Sequence, residues 1–509
     1  MTTVRADDIA NWARQAAPGA HLAADSRQVK RGDVFLAYPG QAADGRRFIA
    51  QAVEAGAAAV VHEEADFAWD DSWKVPHLPV AGLKQQAGAV AAAFYGNPDS
   101  AMFVAAVTGT NGKTSCTQWI ANALSRLGEP AAVIGTLGIG LYHRGRPGNF
   151  DETGNTTPDA VLLQRRLAEL RDQHAGSLAI EASSIGLDQG RMNGLHVDVA
   201  LFTNLSRDHL DYHGDMASYE AAKLRLFTWP GLKHAVINLD DDAGLRFVSS
   251  VQEQKPNFPI IGYTLTGRAV DGVANLRASE VRSSHGGTAF RLDSRFGTAQ
   301  VKTQLVGQFN VSNVLGIIGV LLAKGVDFAT AIEAAEELTA VPGRMQQLGG
   351  QEAPLVVIDY AHTPDALEKT LATLRQVAQQ RSGELWCVFG CGGDRDPGKR
   401  PQMGAVSQAA DHIIVTSDNP RSEDPAKILE QIVAGIDAKR MQERPPHVVE
   451  DRAAAILWAV RHAGKNDVVL LAGKGHEDYQ EIKGRKLPFL DADHASLALA
   501  ARATMKGMI

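Results

Sequence analysis

Short apolar runs, separated by stretches whose apolar positions recur every three to four residues, organise most of this chain. Runs at 34–37, 57–61, 102–107, 132–134, 177–180, 199–202 and 235–238 predict buried strands. A strand covered on both faces reads as a near-continuous apolar segment, not as an alternation. Residues 46–54 and 116–127 carry the helical period between such runs. Regular strand–helix alternation predicts an α/β protein with parallel sheets covered by helices. Residues 266–306 break the rhythm: apolar and polar positions alternate there, which predicts a small antiparallel insertion. Residues 310–324 return to a helix. Further runs at 355–359, 386–389, 412–416 and 467–471 predict an open, doubly wound, Rossmann-like sheet with its functional loops at the strand carboxyl ends. The turn-rich stretches Tyr95-Gly96-Asn97-Pro98-Asp99-Ser100 and Val341-Pro342-Gly343-Arg344 divide the chain into segments 1–98, 99–342 and 343–509.

Bulk properties narrow the class. A chain of 509 residues is too long for one core. Hydrophobic content of 45% with 21% charged residues is that of a soluble globular protein. A net charge of −7 gives no electrostatic case for nucleic acid, so any anionic ligand must be met by local Lys and Arg. The three cysteines, Cys116, Cys387 and Cys391, lack the His/Cys spacing of a zinc site and read as reduced, buried thiols. Residues 1–20 contain acids and no apolar core, which speaks against a signal peptide. The longest apolar run, 314–323, is too short to span a bilayer. A cytoplasmic protein without membrane insertion is expected.

The richest chemistry follows the run at 102–107. Val107-Thr108-Gly109-Thr110-Asn111-Gly112-Lys113-Thr114-Ser115 places a glycine-rich turn and Lys-Thr between a strand and a helix. That is the layout of a phosphate cradle: glycines let backbone N–H groups approach phosphate oxygens, and the helix N-terminus adds partial positive charge. Lys113 would reach the β- and γ-phosphates, and the Thr114 hydroxyl would sit on Mg²⁺. The strict pattern requires glycine where Val107 stands, so this is a variant loop. Glu181 ends the run at 177–180 and is placed to meet Mg²⁺ near a phosphate loop, although an exposed strand-end carboxylate would look the same. Thr203-Asn204-Leu205-Ser206-Arg207-Asp208-His209-Leu210-Asp211-Tyr212-His213 crowds carboxylates and imidazoles into one loop suited to Mg²⁺ or Mn²⁺, or held by its own hydrogen bonds. Lys223, in Tyr219-Glu220-Ala221-Ala222-Lys223, reads simply as a helix lysine.

In the last segment four strand ends share one predicted rim. They carry Asp359-Tyr360-Ala361-His362, Gly390-Cys391-Gly392-Gly393-Asp394-Arg395, Ser417-Asp418-Asn419-Pro420-Arg421 and Ala472-Gly473-Lys474-Gly475-His476-Glu477. Two arginines on one rim point to a carboxylate-bearing ligand, which the guanidinium fork matches.

These motifs resemble the Mur ligase family, the ATP-dependent amide-bond-forming enzymes of peptidoglycan synthesis, over essentially the whole chain. Thr108-Gly109-Thr110-Asn111-Gly112-Lys113-Thr114 is similar to the family's own phosphate loop, and Asp208-His209-Leu210-Asp211-Tyr212-His213-Gly214 and Tyr219-Glu220-Ala221-Ala222-Lys223 match as well. The resemblance implies three domains: UDP-binding (1–98), ATPase with a P-loop-type parallel sheet (99–342), and amino-acid-binding (343–509). It implies that Gly109, Thr110, Asn111, Gly112, Lys113 and Thr114 bind ATP, with Asn310 and Asn313 near adenine and Arg344 and Asp359 holding the nucleotide. Lys113, Glu181, His209 and Lys223 would form the catalytic group, with two Mg²⁺ ions held by Thr114, Glu181, His209 and a carbamate on Lys223. The uridine would meet the region of Asp25-Ser26-Arg27, Ser26 above all, and residues 40–48, where Gln41 replaces the histidine of many members. Thr156, Thr157, Ser183 and Arg191 would contact a muramyl-dipeptide.

The resemblance further implies a ligase that adds meso-2,6-diaminopimelate to the D-glutamate γ-carboxylate of UDP-N-acetylmuramoyl-L-alanyl-D-glutamate through an acyl phosphate, working as a monomer. Members using diaminopimelate resemble Asp418-Asn419-Pro420-Arg421 at this loop. Arg421 can pair the distal carboxylate that lysine lacks, and an unpaired Arg421 facing an ammonium would discriminate by about 2–5 kcal/mol. Arg395, Asn419, Gly473 and Glu477 would complete that pocket. An L-lysine-adding ligase of the same type and a P-loop NTPase switch are the alternatives. The switch would have no use for Lys223 or for the rim of the last segment.

Overall fold

The apolar run at 102–107 forms the strand Phe103–Thr108, buried from its second residue onward. In this computed structural model, which describes residues 4–41, 43–151, 154–284 and 287–506, the strand lies between Ser177–Glu181 and Val199–Phe202 and runs parallel to both. Register places Val107 opposite Glu181 and Thr108 opposite Phe202. Three strand ends therefore open side by side where the sheet's connections diverge, the place at which open α/β sheets bind ligands.

The sheet continues in parallel through Ala131–Gly135 on one side and through His234–Asn238 and Ile260–Thr264 on the other. One edge is finished by the hairpin Gly138–His143/Arg146–Asp151. The alternating stretch forms the antiparallel strands expected of it, joined onto the central sheet. Ala274–Ser284, Gly287–Ser294 and Gly297–Thr303 are antiparallel to one another, but the first pairs in parallel with Ile260–Thr264. They extend the central sheet to eleven strands; residues 285 and 286 lie outside the described residues. The helices Lys113–Arg126 and Gln308–Lys324 cover one face, with Trp119, Ile120, Leu315 and Ile318 in the shared core. Ala160–Asp172 and Asp242–Gln254 cover the other with Leu163, Leu167, Phe247 and Val251. Gln308–Lys324 is apolar nearly all round because it is buried in this core. Among the described residues no helix is long and apolar enough to cross a membrane.

The first segment holds a parallel four-stranded sheet, Leu22–Ala23, Val34–Ala37, Ala59–Glu63 and His77–Val80. The last holds a six-stranded sheet. Five are parallel, in the order Leu355–Asp359, Val468–Ala472, Leu385–Phe389, His412–Thr416 and His447–Val449, and Gln346–Gly349 adds an antiparallel edge. All three cysteines are buried free thiols, as their spacing implied.

Two features fix the first segment on the second. The helix Leu83–Phe94 meets the loop before Val199 through glycines. A Cβ on Gly88 would fall 1.8 Å from the Asn193 carbonyl oxygen, and one on Gly194 would fall 2.4 Å from that of Gly88. Beside this contact an ionic clip holds the connecting stretch. His196 Nδ1 lies 2.8 Å from Asp99 Oδ2, its Nε2 lies 3.3 Å from Asp198 Oδ2, and Lys233 Nζ pairs with Asp198 Oδ1 at 2.7 Å. Hydrogen bonds donated to Asp198 and Asp99 raise the imidazole to about 9. Burial opposes ionisation of Asp198, but His196, Lys233 and the Val104 N–H together hold its carboxyl well below the usual range.

The clip predicts a pH signature. Folded His196 keeps its second proton up to about pH 9, whereas an ordinary imidazole releases it at 6.5. Its stabilisation is complete below the lower value and is lost as pH rises through the higher. With a third-exposed ring, screening limits the effect to about 1–2 kcal/mol. The urea midpoint of wild type should therefore exceed that of His196→Ala at neutral pH, and the two should converge at pH 10. An undiminished gap at pH 10 would remove the ionic explanation.

Candidate active site

The phosphate loop leaves Thr108 and enters Lys113–Arg126 through Gly112, which is left-handed at φ +87°. Only glycine meets the spatial demand at Gly109, where a Cβ would fall 1.9 Å from Thr203 Oγ1. The neighbouring strand end reinforces the loop: the Asn111 N–H donates to Asn204 Oδ1, and the Thr203 hydroxyl donates to the Asn111 carbonyl at 2.6 Å. Lys113 Nζ curls back to donate to the carbonyls of Gly109 and Thr110, at 2.8 and 2.9 Å.

Lys223 turns out to be more than a helix lysine. It is 1% exposed, its Nζ donates to the same Gly109 carbonyl at 2.9 Å, and it lies over the Tyr219 ring. Burial and the Lys113 charge push its ammonium well down, with Asp208 opposing. Burial, and then Arg344, lower Lys113 as well, against Glu181 and Asp208. Two amines thus converge on one carbonyl, both biased toward the neutral form.

Glu181 is fully buried, its carboxylate accepting the Thr136 N–H at 2.8 Å and the Thr136 hydroxyl at 3.2 Å. Its charge acts on both Lys113 and Cys116, which places it beside the first turn of the helix. Thr108 Oγ1 is buried with no hydrogen-bond partner among the described residues. His209 adopts a left-handed conformation at φ +53° and sits 3.5 Å from Asp208. Desolvation and the Lys113 and Lys223 charges lower its imidazole, against Asp208. Among the described residues no three His, Cys, Asp or Glu side chains converge on one point. The oxygen-rich set of Thr114 and Glu181 nevertheless suits Mg²⁺, which takes few protein ligands and completes its shell with phosphate oxygens and water.

The nucleotide-side residues divide. Asn313 packs on the loop, its Oδ1 3.0 Å from where a Gly112 Cβ would be, whereas Asn310 caps its own helix turn through the Val306 carbonyl. Arg344 reaches from the last segment to Thr114 Oγ1 at 3.4 Å and stacks over Tyr360. Asp359 accepts the N–H groups of Met345 and Ala361; burial raises its carboxyl in spite of Arg344.

A second cluster adjoins Glu181. Thr157 Oγ1 donates to the Glu181 carbonyl at 2.7 Å and lies 2.9 Å from Ser183 Oγ. Arg191 donates to the Thr157 carbonyl, and Thr156 meets Thr136 at 3.1 Å. Ser26 is apart from this group, buried in the first segment against Gln51. Gln41 instead joins the segments, donating to Tyr212 Oη at 2.7 Å and accepting from Gln189; its neighbour Ala42 lies outside the described residues.

On the rim of the last segment, Asn419 donates to Glu477 at 2.7 Å, and Asp418 abuts Gly473, where a Cβ would fall 2.6 Å from Oδ2. Pro420 is crossed by Gly393. Arg421 donates to the Gly393 carbonyl at 2.7 Å. Arg395 is exposed, touches only its neighbour's carbonyl among the described residues, and reaches the group solely across Gly392.

Three residues escaped sequence reasoning, and a fourth, Lys474, stands in a rim motif that gives it no partner. Thr136 orients Glu181. Asp365 accepts from Asn111 Nδ2 at 3.2 Å and from Ser206 Oγ at 2.8 Å, linking the last segment to the phosphate loop. Lys474 is fully buried, donating to Glu477, Asn419 and the Tyr479 carbonyl. Glu481 pairs with Arg421 at 3.3 Å. Only Asp365 had a local signal, an acid in the first turn after Thr363-Pro364.

Comparison with known proteins places the whole chain among relatives. Residues 107–321 match the Mur ligase middle domain, residues 343–475 the Mur ligase glutamate ligase domain, and residues 20–95 the Mur ligase family catalytic domain. The chain is 65% identical to the UDP-N-acetylmuramoyl-L-alanyl-D-glutamate–2,6-diaminopimelate ligase of Janthinobacterium sp. (strain Marseille), over 99% of this chain and 98% of that protein. It is 52% identical to the protein of the same name from Ralstonia nicotianae, over 97% and 96% of the two chains. A solved structure of a ligase of that name is 37% identical, with a TM-score of 0.68 over 99% of this chain and all of the other. The MurF ligase of Thermotoga maritima, solved with ADP, is similar in fold at 19% identity and a TM-score of 0.63, covering 96% and 98%.

Gly135 gives the sharpest test of the geometry around Glu181, since a Cβ there would fall 2.2 Å from Glu181 Oε1. Gly135→Ala should keep the native circular dichroism and weaken ATP binding in the presence of Mg²⁺ by about tenfold or more. Unchanged affinity in a calorimetric titration would detach Glu181 from the nucleotide site.

Proposed function

The chain belongs to the Mur ligase family, and on that premise we propose that it is the ATP-dependent ligase joining meso-2,6-diaminopimelate to UDP-N-acetylmuramoyl-L-alanyl-D-glutamate, acting as a cytoplasmic monomer. The observation that carries the reading is Arg421, set beside Asn419 and Glu477 on a rim that Arg344 ties to the phosphate loop. In this reading segment 1–98 holds the uridine with Ser26, segment 99–342 binds ATP and the muramyl-dipeptide through Thr156, Thr157, Ser183 and Arg191, and segment 343–509 presents the amino acid.

A carboxylate is a poor electrophile, so the D-glutamate γ-carboxylate first takes the γ-phosphoryl group of ATP. The amine of diaminopimelate then attacks the acyl phosphate, and phosphate leaves the tetrahedral intermediate. Negative charge accumulates throughout beside the loop. The N-terminus of Lys113–Arg126 opens on that charge, and Lys113, held by the Gly109 and Thr110 carbonyls until then, would turn to meet it. Arg191, partly buried against Thr157, orients the dipeptide. Asn313 and Arg344 keep the nucleotide against the loop.

Thr114, Glu181 and His209 would hold Mg²⁺. The ion, when bound, supplies charge neutralisation to the phosphates. Lys223 fits a carbamate for a reason of its own. A neutral amine is the form that attacks CO₂, and burial with Lys113 alongside favours that form. The anion produced would face Lys113 instead of a second ammonium.

Phosphate release from ATP with the muramyl-dipeptide nucleotide, measured in parallel with meso-diaminopimelate and L-lysine, tests the function. Turnover with diaminopimelate alone is expected. Turnover with lysine alone would reassign the substrate, and release indifferent to both would leave an NTPase. Lys223→Ala should lose about a hundredfold or more in kcat, with partial recovery in formate or acetate. Wild-type activity in that variant would exclude the carbamate.

A further inference from the structure

The loop carrying Arg421 is stitched to the hairpin Tyr479–Ile482/Arg485–Pro488. Arg421 is left-handed at φ +51°; its N–H donates to the Glu481 carbonyl at 2.9 Å, and the Lys483 N–H donates to its own carbonyl at 2.7 Å. The Glu481 N–H donates to Asn419 Oδ1 at 2.9 Å, and Gln480 Nε2 to the Asp418 carbonyl at 2.7 Å. The hairpin thus sets the loop's backbone and places one more carboxylate beside the guanidinium, Glu481 Oε2 at 3.3 Å from Arg421 Nε.

The carboxylates around this pocket are not equivalent: Asp394 is held by the Ser422 N–H and hydroxyl. Asp418 accepts the Asn419 N–H and abuts Gly473. Glu477 is held by Asn419 and by the buried Lys474. The Glu481 carboxylate is held by Arg421 alone among the described residues, and both side chains remain partly exposed, at 27% and 21%. It is the carboxylate an incoming ligand can displace at least expense. The distal carbon of diaminopimelate bears a carboxylate and an ammonium together, so a guanidinium alone matches only half of it. An adjacent cation and anion match both halves.

We propose that Glu481 is a specificity-determining residue of the amino-acid site, forming with Arg421 a charge pair that receives the distal zwitterion, carboxylate on Arg421 and ammonium on Glu481. In the empty site the two side chains neutralise each other. The ligand's carboxylate replaces Glu481 on the guanidinium, and the ligand's ammonium keeps the freed carboxylate paired. A ligand with a distal carboxylate but no ammonium must displace Glu481 without compensating it. This inference rests on the diaminopimelate reading above.

The test compares meso-diaminopimelate with 2-aminopimelate, which lacks only the distal ammonium, in wild type, Glu481→Gln and Glu481→Asp. In Glu481→Gln the KM for diaminopimelate should rise about tenfold with kcat little changed. Its KM for 2-aminopimelate should stay constant or fall, because a competitor for Arg421 is gone. Glu481→Asp, which keeps the charge, should retain the wild-type preference. Equal changes for both substrates would reduce Glu481 to a structural role, and an unchanged KM for diaminopimelate would overturn the proposal, in each case with the ligase reading intact. A wild-type enzyme that ignores diaminopimelate would instead defeat that reading and this inference with it.

Discussion

Two amines on a single carbonyl oxygen set the terms for the rest of the molecule. Lys113 and Lys223 both donate to Gly109, one from the phosphate helix and one from a helix more than a hundred residues later. Two ammonium groups a few ångströms apart repel by roughly 1–4 kcal/mol in partly buried surroundings, and desolvation adds to this. A folded protein tolerates such an arrangement where anions arrive to relieve it. The helix N-terminus and Gly112 favour that arrival at the same spot. Asp208, acting on both lysines, is the counter-charge already present.

The crowding is achieved by leaving out side chains. Gly109 lets Thr203 close on the loop, Gly135 makes room for the Glu181 carboxylate, and Gly112 lets Asn313 approach. Each is a contact between the end of one strand or helix and the next, so the parallel register of the central sheet is what brings them into range. The last segment is tied to this centre by opposite charges. Arg344 touches Thr114, and Asp365 touches Asn111 and Ser206. Domain closure over a nucleotide needs such a connection, since a cleft assembled from two bodies excludes water only when both are held.

Much of this was legible in the sequence, for identifiable reasons. Buried parallel strands announce themselves as apolar runs, and the phosphate loop combines glycine spacing, a lysine and a helix start within nine residues. The failures share a cause. Lys223 looked ordinary because its significance lies in Gly109, over a hundred positions away. The alternation at 266–306 reveals antiparallel pairing among its own strands but not the parallel pairing of its first strand with Ile260–Thr264. Thr136, Lys474 and Glu481 act on residues that were recognised, and nothing in their local sequence marks an orienting role. Arg395 shows the converse: a residue the sequence assigns to the pocket, exposed here and near it across Gly392.

The amino-acid pocket shows why a motif is an incomplete statement of specificity. Asp418-Asn419-Pro420-Arg421 ends in a non-glycine residue held left-handed, a conformation costing about 1–2 kcal/mol. Hydrogen bonds to the backbone of residues 481 and 483 offset that cost, and the buried Lys474 fixes Asn419 and Glu477 from behind. The guanidinium points where it does because a hairpin sixty residues downstream holds its backbone. Removing the hairpin's hold would leave the four-residue motif intact in sequence while releasing Arg421 to relax. The placement of Arg421 is therefore a property of the loop and hairpin together, and in the proposal above its guanidinium takes the ligand's carboxylate while Glu481 takes the ammonium.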